Sequence, residues 1–112
     1  MKEIQWSDFT KLEIRVGTII EAHDFPEAIK PAYRLAIDFG VENGTKWSSA
    51  QITDLYSKEE LIGRQVIAVV NFPPKQIGPF ISECLVTGFN RPDNKVVLAV
   101  PDSSVENGAL LA

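Results

Sequence analysis

The architecture of this chain follows from one stretch, LEIRVGTIIEA, at residues 12–22. Apolar and charged residues alternate from Leu12 to Val16, which is the period-two pattern of a half-buried strand. Gly17 then interrupts the alternation, and extended character resumes over residues 18–22. Because a glycine inside a strand indicates a bulge or a sharp bend, the stretch predicts one long, coiled first strand.

Short runs with turn residues between them predict the remaining strands. We expect these strands over residues 33–39, 45–52, 65–71, 83–88 and 95–100. Asn43-Gly44 is the strongest hairpin signal in the sequence and joins the second strand to the third. The fourth strand is almost continuously apolar, which indicates burial on both faces. Prolines and a glycine predict an irregular loop over residues 72–81.

Two short helices are predicted beside the strands. Ser7 is the expected cap of one helical turn over residues 7–11. Ser57 and Glu60 fit a capping box that opens a second helix, and Gly63 ends it. This second helix lies between the third and fourth strands, where a five-stranded OB barrel often carries one.

These elements indicate an all-β protein in which residues 1–112 form one five-stranded OB-fold barrel with flanking N- and C-terminal segments. A strongly bent first strand closes such a barrel, and the short helix plugs its end. A β-sandwich is the alternative, but a sandwich usually needs more strands and gives no reason for the helix. The length of 112 residues leaves no room for a second core.

The composition argues against several classes of function. Eleven Lys and Arg residues against fifteen Asp and Glu residues give a net charge of -4, so the chain lacks the global field that draws nucleic acid from a distance. Cys84 is the only cysteine and His23 the only histidine, which excludes an intrachain disulfide and a Cys-rich or multi-His metal site. No phosphate loop or nucleophile set is visible, so we expect no enzyme, no metal and no cofactor.

The sequence also predicts a compartment. The N-terminus lacks the apolar segment of a signal peptide, and the longest apolar run, Val66–Val70, is far shorter than a membrane span. We therefore expect a cytoplasmic protein without membrane insertion. The lone thiol of Cys84 fits a reducing compartment, and we expect it to be buried filler and not a reactive group.

The proline-stiffened segment from Asn71 to Glu83 is unusually apolar for a connection. Its side chains Phe72 and Phe80 either fold back to cap the barrel end or form an exposed patch that binds a partner. Trp47, on the third strand, either packs against a neighbouring strand or holds a base or an apolar peptide. Four cations either converge on one barrel face or are solvated separately: Lys30, Arg34, Lys46 and Lys75.

Several blocks of the sequence resemble the tRNA-binding domains that occur alone and attached to methionyl- and phenylalanyl-tRNA synthetases. These blocks are DFTKLEIRVGTI at residues 8–19 and EELIGRQV at residues 59–66. Three further blocks resemble more closely the CsaA family of export-related chaperones. They are FPEAIKPAY at residues 25–33, SSAQIT at residues 48–53 and NFPPKQIGPF at residues 71–80. The resemblance extends from residue 8 to residue 112.

The resemblance implies an OB fold, a homodimer and the holding of unfolded or preprotein chains without ATP. The partners that it implies are a second copy of the chain, unfolded polypeptides or preproteins, and the export machinery. It places the dimer interface in the flanking segments, at Trp6, Phe9, Leu110 and Leu111. Relatives that bind tRNA tend to carry cations where this chain has the apolar segment after Asn71. That exchange replaces phosphate contacts with rigid apolar area.

The preferred hypothesis is therefore a dimeric chaperone with an apolar groove. The residues expected to bind peptide are Trp47, Phe72, Pro73, Pro74, Phe80 and Ile81. The alternative is binding of tRNA or another RNA on the same barrel face. The residues expected to bind RNA are Lys30, Lys46, Ser48, Asn71, Lys75 and Ser82. An enzyme is the weakest hypothesis, because no acid–base, nucleophile or metal set is visible.

Overall fold

A computed structural model describes residues 1–112. It contains two short helices, α1 (Trp6–Thr10) and α2 (Lys58–Leu61). The strands along the chain are β1 (Ile14–Asp24), β2 (Tyr33–Asp38), β3 (Thr45–Ala50), β4 (Gln65–Val69), β5 (Lys75–Ile77), β6 (Phe80–Ser82), β7 (Leu85–Val86), β8 (Gly88–Asn90) and β9 (Val96–Leu98). No helix has the length and apolar character needed to cross a membrane.

Five strands form one antiparallel sheet in the order β3-β2-β1-β4-β7. The sheet curls into a nearly closed barrel, and α2 lies between β3 and β4 in the chain. The predicted five-stranded barrel of the OB type, with a short helix after its third strand, is therefore confirmed. β5 with β6 and β8 with β9 form two small additional ladders. The strand expected over residues 83–88 is divided between β7 and the start of β8.

The first strand serves two neighbours, as a long bent strand in a barrel must. Ile14–Thr18 pairs with β4, and Thr18–Asp24 pairs with β2. The register of the β1–β2 ladder shifts between Ile19 and Glu21. The sequence predicts a bulge or bend at Gly17, and the irregularity of the ladder instead lies between Ile19 and Glu21.

Gly17 is needed for close packing. An added Cβ would lie 2.6 Å from Cγ2 of Ile37 and 2.7 Å from the ring of Phe39. Both neighbours are fully buried, so they have little space to move aside. The strand crosses the core at this point without a side chain. The largest fully buried apolar side chains of that core are Phe39, Ile19, Leu35, Ile37, Leu61 and Val66.

The hairpin between β2 and β3 is confirmed, although its connection is longer than the two-residue turn that Asn-Gly favours. Asp38 pairs with Thr45, so residues 39–44 form the loop. The N–H of Gly44 donates to the C=O of Gly40 at 2.7 Å. These two glycines have φ of 71° and 91°, a region that other residues adopt only with strain.

The prediction of an irregular loop over residues 72–81 is wrong, because β5 and β6 form a hairpin in this part of the chain. Ile77 pairs with Phe80 across the two-residue turn Gly78-Pro79. Gly78 has φ of 55°, and proline has a fixed negative φ, which is the combination of a type II′ turn. The glycine and proline that indicate a loop in the sequence therefore form a tight hairpin turn.

Both helices begin with a capping box. In α2, the N–H of Ser57 donates to Oε1 of Glu60 at 2.7 Å, and the N–H of Glu60 donates to Oγ of Ser57 at 3.3 Å. The prediction for α2 is confirmed. In α1 the cap is Gln5 and not Ser7, because the N–H of Gln5 donates to the carboxylate of Asp8 at 2.9 Å.

The C-terminal tail lies along the first half of β1. The N–H of Gly108 donates to the C=O of Val16 at 2.7 Å, and the N–H of Leu111 donates to the C=O of Ile14 at 2.8 Å. Gly108 has φ of 92°, which lets the chain turn back toward the strand. The tail and α1 therefore both lie next to the start of β1.

Candidate ligand-binding face

The outer face of the β1–β2–β3 sheet carries the candidate site. Successive strand residues point to opposite faces, so Trp47 points outward while Ser48 points into the barrel and is fully buried. In the register of the sheet, Arg34 lies opposite His23 on β1 and opposite Ser49 on β3. An aromatic ring, an imidazole and a guanidinium therefore share this face.

Four rings pack together here, and we call them the aromatic cluster: His23, Phe25, Trp47 and Phe80. Trp47 stacks on His23 with 6.1 Å between ring centroids and meets Phe80 edge-on at 6.1 Å. Phe80 in turn meets Phe25 edge-on at 5.3 Å. Trp47 and Phe80 are half-buried, so each ring packs on one side and is exposed on another. The contacts hold the rings in fixed relative orientations.

A groove of about 460 Å³ lies beside the aromatic cluster. We call it the Trp47 groove, and its lining residues are Arg34, Trp47, Pro79, Phe80, Ile81 and Glu83. Ile81 leaves 51% of its surface exposed at the wall of this groove. The structure therefore brings Trp47, Phe80 and Ile81 together, which are three of the residues predicted to bind peptide.

A second groove of about 220 Å³, the Phe72 groove, lies beside the β5–β6 hairpin. It is lined by Phe72, Pro73, Lys75, Ser82, Glu83, Cys84 and Leu85. Phe72 is 48% exposed, Glu83 lines both grooves, and Pro74 is exposed and lines neither. Phe80 packs on the barrel, as expected for a side chain that caps it, while Phe72 and Ile81 remain exposed, as expected for a patch that binds a partner. The two interpretations of this apolar segment therefore apply to different side chains.

The position of Trp47 is fixed by a seam between β3 and the segment that joins β6 to β7. The N–H of Glu83 donates to the C=O of Trp47 at 2.7 Å, and the N–H of Trp47 donates to Oε1 of Glu83 at 2.9 Å. The N–H of Ser49 donates to Oγ of Ser82 at 3.2 Å. One backbone hydrogen bond and two side-chain hydrogen bonds therefore join these segments where no regular strand ladder forms. Sequence reasoning missed this role of Glu83, since its partner lies 36 residues away.

Two of the residues predicted to bind RNA make contacts within the chain. Ser48 is fully buried, and its hydroxyl donates to the C=O of Cys84 at 2.9 Å. Asn71 joins the end of β4 to the start of the chain: its Nδ2 donates to the C=O of Lys11 at 2.8 Å, and its Oδ1 accepts from the N–H of Glu13 at 2.9 Å. An RNA-binding role for these residues stays a prediction that these contacts do not favour.

The lysines predicted to bind RNA are distributed over different parts of the barrel. Lys30 is exposed in the loop between β1 and β2, and Lys75 lines the Phe72 groove. Lys46 lies on the inward register of β3, opposite in direction to Trp47. None of the three forms a salt bridge. Arg34 is the one cation that lines the Trp47 groove.

Cys84 is buried, as expected. Burial raises the pKa of its thiol to about 11, and the nearby hydroxyl of Ser48 only partly offsets this effect. The thiol is therefore protonated at neutral pH, which suits a packing role. No group of three or more His, Cys, Asp or Glu side chains is placed to hold a metal ion.

Three of the four residues predicted for the dimer interface, Trp6, Leu110 and Leu111, are exposed at the two ends of the chain, and Phe9 is half-buried. Trp6 is 74% exposed and contacts Phe9 with 5.4 Å between ring centroids. Leu110 and Leu111 are exposed on the tail that pairs with β1. The two segments form what we call the terminal patch, and its role in dimerisation stays a prediction.

Comparisons with known proteins agree with this geometry. Residues 14–110 match the family described as putative tRNA binding domain. The chain is 40% identical over 106 residues to the methionine–tRNA ligase of Flavobacterium psychrophilum, a match that spans 94% of this chain and 15% of the ligase. This chain therefore spans only a small part of the length of the ligase.

Solved structures match over the whole length of the chain. The chaperone CsaA of Bacillus anthracis superposes with a TM-score of 0.93 at 48% identity, covering 99% of this chain and 100% of that one. The CsaA chaperone of Picrophilus torridus superposes with a TM-score of 0.92 at 56% identity, covering 98% and 100%.

Proposed function

We propose that this chain, which belongs to the family of tRNA-binding domains and, within it, to the CsaA family, is a chaperone. In this proposal it binds unfolded or pre-export polypeptides without ATP. Two CsaA chaperones match it over nearly the full length of both chains, which supports a function carried by this one domain. The ligases are matched over about 15% of their length, so their aminoacylation is not part of the proposal.

The observation that carries the proposal is the exposed apolar surface that is held rigid around Trp47. Phe80 and Trp47 are oriented by ring contacts, and the seam to Glu83 holds the backbone of β3. An unfolded chain that docks here buries its own apolar side chains without ordering the site, which lowers the entropic cost of binding. Phe72 and Leu85 add exposed apolar surface in the Phe72 groove.

A homodimer formed through the terminal patch is part of the proposal. Trp6 on α1 and Leu110 on the tail are large exposed apolar side chains, and a second copy would cover them. Two copies also present two Trp47 grooves, so that one extended client engages both with a raised effective concentration. We place this activity in the cytoplasm, before clients reach the export machinery.

The experiment that tests the proposal measures the suppression of aggregation of a chemically denatured client. The double variant Phe72→Asp, Phe80→Asp places charge in both grooves and is expected to abolish most of the suppression. Phe89→Asp is the matched control, because Phe89 is 68% exposed on β8 and lines neither groove. Full suppression by a folded, dimeric double variant would rule out these grooves as the client site.

RNA binding is the second candidate, and the family match over residues 14–110 favours it. Trp47 supplies a ring for base stacking, and Lys75 and Lys30 are free for phosphate contacts. In this case the affinity for tRNA falls steeply with salt, because each phosphate contact releases counterions. Filter binding at low salt tests it, and no retention of tRNA would remove this candidate.

A further inference from the structure

We propose that Arg34 makes the Trp47 groove prefer polypeptide segments in which an acidic side chain lies next to a large apolar side chain. This inference rests on the proposed function, since it specifies the chemistry of the client that the groove selects. Its basis is that Arg34 is the one cation in the groove lining and that its terminal nitrogens have no partner.

Two contacts hold the Arg34 side chain in place. Its Nε donates to the C=O of Asp24 at 3.0 Å, and its Cζ lies 5.9 Å from the centroid of the Phe25 ring. Its terminal Nη atoms take part in no salt bridge and donate no hydrogen bond within the chain. A guanidinium that is already oriented, with its outer donors free, loses little entropy when a carboxylate binds.

The acidic side chains of β1 and of the groove wall are already engaged. Glu83 accepts a backbone N–H of β3 at 2.9 Å. Glu21 contacts Nε2 of His23 at 2.9 Å, and Asp24 accepts from Nζ of Lys58 at 2.9 Å. Within the groove lining, Arg34 is therefore the group that offers free charged donors, and these donors are complementary to an anion.

The surroundings of Arg34 favour a peptide carboxylate over an RNA phosphate. Pro79, Phe80 and Ile81 form an apolar wall in the same groove, which suits an apolar side chain adjacent to the bound carboxylate. A nucleic-acid site gains its affinity from several phosphate contacts, and this groove offers a single cation. An acidic residue with an apolar neighbour matches both features.

The test compares three fluorescent peptides of equal length that differ only at the residue next to a phenylalanine, where they carry Glu, Gln or Lys. Binding is measured by fluorescence anisotropy. The unmodified protein is expected to bind the Glu peptide about fivefold more tightly than the Gln peptide, and the Lys peptide most weakly. The preference should shrink with added salt, because the pair is partly exposed.

Two neutral variants of Arg34 remove the preference if the inference is right. Arg34→Gln and Arg34→Met are both expected to bind the three peptides with equal affinity. Arg34→Met retains an apolar side chain over Phe25. If circular dichroism shows Arg34→Gln to be unfolded, Arg34→Met tests whether Arg34 causes the preference for the Glu peptide. Arg64→Gln is the matched control, because Arg64 also packs on an aromatic ring, with its Cζ 5.3 Å from the centroid of Tyr56, but lines a different groove.

The outcomes separate this inference from the proposed function. Equal binding of the three peptides by the unmodified protein, or a preference for Lys, overturns the role of Arg34 and leaves the chaperone proposal standing. A Glu preference that survives in a folded Arg34→Met variant overturns it too. If no peptide binds and an oligouridylate binds in an Arg34-dependent way, Arg34 contacts phosphate, and both the inference and the chaperone proposal are overturned.

Discussion

The two tryptophans of this chain occupy opposite environments. Trp47 is half-buried, contacts two other rings and has its backbone held by Glu83 across the barrel seam. Trp6 is 74% exposed on a five-residue helix and contacts one ring, that of Phe9. The Trp47 ring is held in place and partly exposed, which is suited to ligands that bind transiently. The Trp6 ring has few contacts within the chain, which is suited to a surface that a permanent partner covers. The same residue type therefore indicates two different kinds of binding.

The largest expected effect comes from a change in the strand that supports both regions. Gly17→Ala inserts a Cβ that would lie 2.6 Å from Cγ2 of Ile37, so we expect a loss of about 3 kcal/mol in the free energy of unfolding, measured by urea denaturation. Gly63→Ala is the control, since its Cβ meets no atom within 4 Å and only the strain of a positive φ remains, which costs about 1 kcal/mol. Equal losses for the two variants would contradict a packing role for Gly17.

A smaller loss of stability is expected from removing the hydrogen bonds of the seam between β3 and Glu83. This change should disturb the region around Trp47 and leave the region around Trp6 unchanged. Glu83→Ala leaves the N–H of Trp47 without its acceptor, which we expect to reduce the free energy of unfolding by about 1–2 kcal/mol and to weaken client binding. Glu83→Gln retains an acceptor oxygen and should recover most of both losses. If Glu83→Ala changed the oligomeric state and left client binding intact, the separation of the two tryptophan regions would be wrong.

The smallest effect on stability is expected at the exposed tryptophan. Trp6→Ala removes a side chain that the monomer hardly buries, so its free energy of unfolding under monomeric conditions should change by less than about 0.5 kcal/mol. If the proposed dimer forms through the terminal patch, sedimentation should show that Trp6→Ala dissociates it, because this patch then loses its largest apolar side chain. Trp47→Ala is the matched comparison and should leave the dimer intact while client binding falls. A Trp6→Ala variant that stays dimeric would remove Trp6 from the interface.

Local patterns in the sequence predict the barrel well because they depend on neighbours in the chain. The alternation that begins at Leu12, the capping box at Ser57 and the hairpin signal at Asn43 each concern residues a few positions apart. The same reasoning failed at Gly78-Pro79, where turn residues indicate a loop and a type II′ turn instead joins two short strands.

Local patterns predict less of the candidate site than of the barrel, because the contacts of the site join distant parts of the chain. The sequence predicts Trp47, Phe80 and Ile81 as peptide-binding residues, and the structure places them in one groove. The structure places Phe72 in a neighbouring groove. His23 and Phe25 enter the aromatic cluster through the register of β1 and the turn of the chain after it, which a period-two pattern does not specify.

From its amino-acid sequence alone, this protein is a small acidic β-barrel of the tRNA-binding type with an apolar segment after Asn71. The tertiary structure decided which polar residues make contacts within the chain, as the buried Ser48 and the exposed Asn71 do, and which apolar side chains stay at the surface. It also left the terminal nitrogens of Arg34 without a partner in the groove that Phe80 lines. The physical reason is that periodicity reports which face of an element is apolar, whereas exposure depends on what the rest of the chain places against that face.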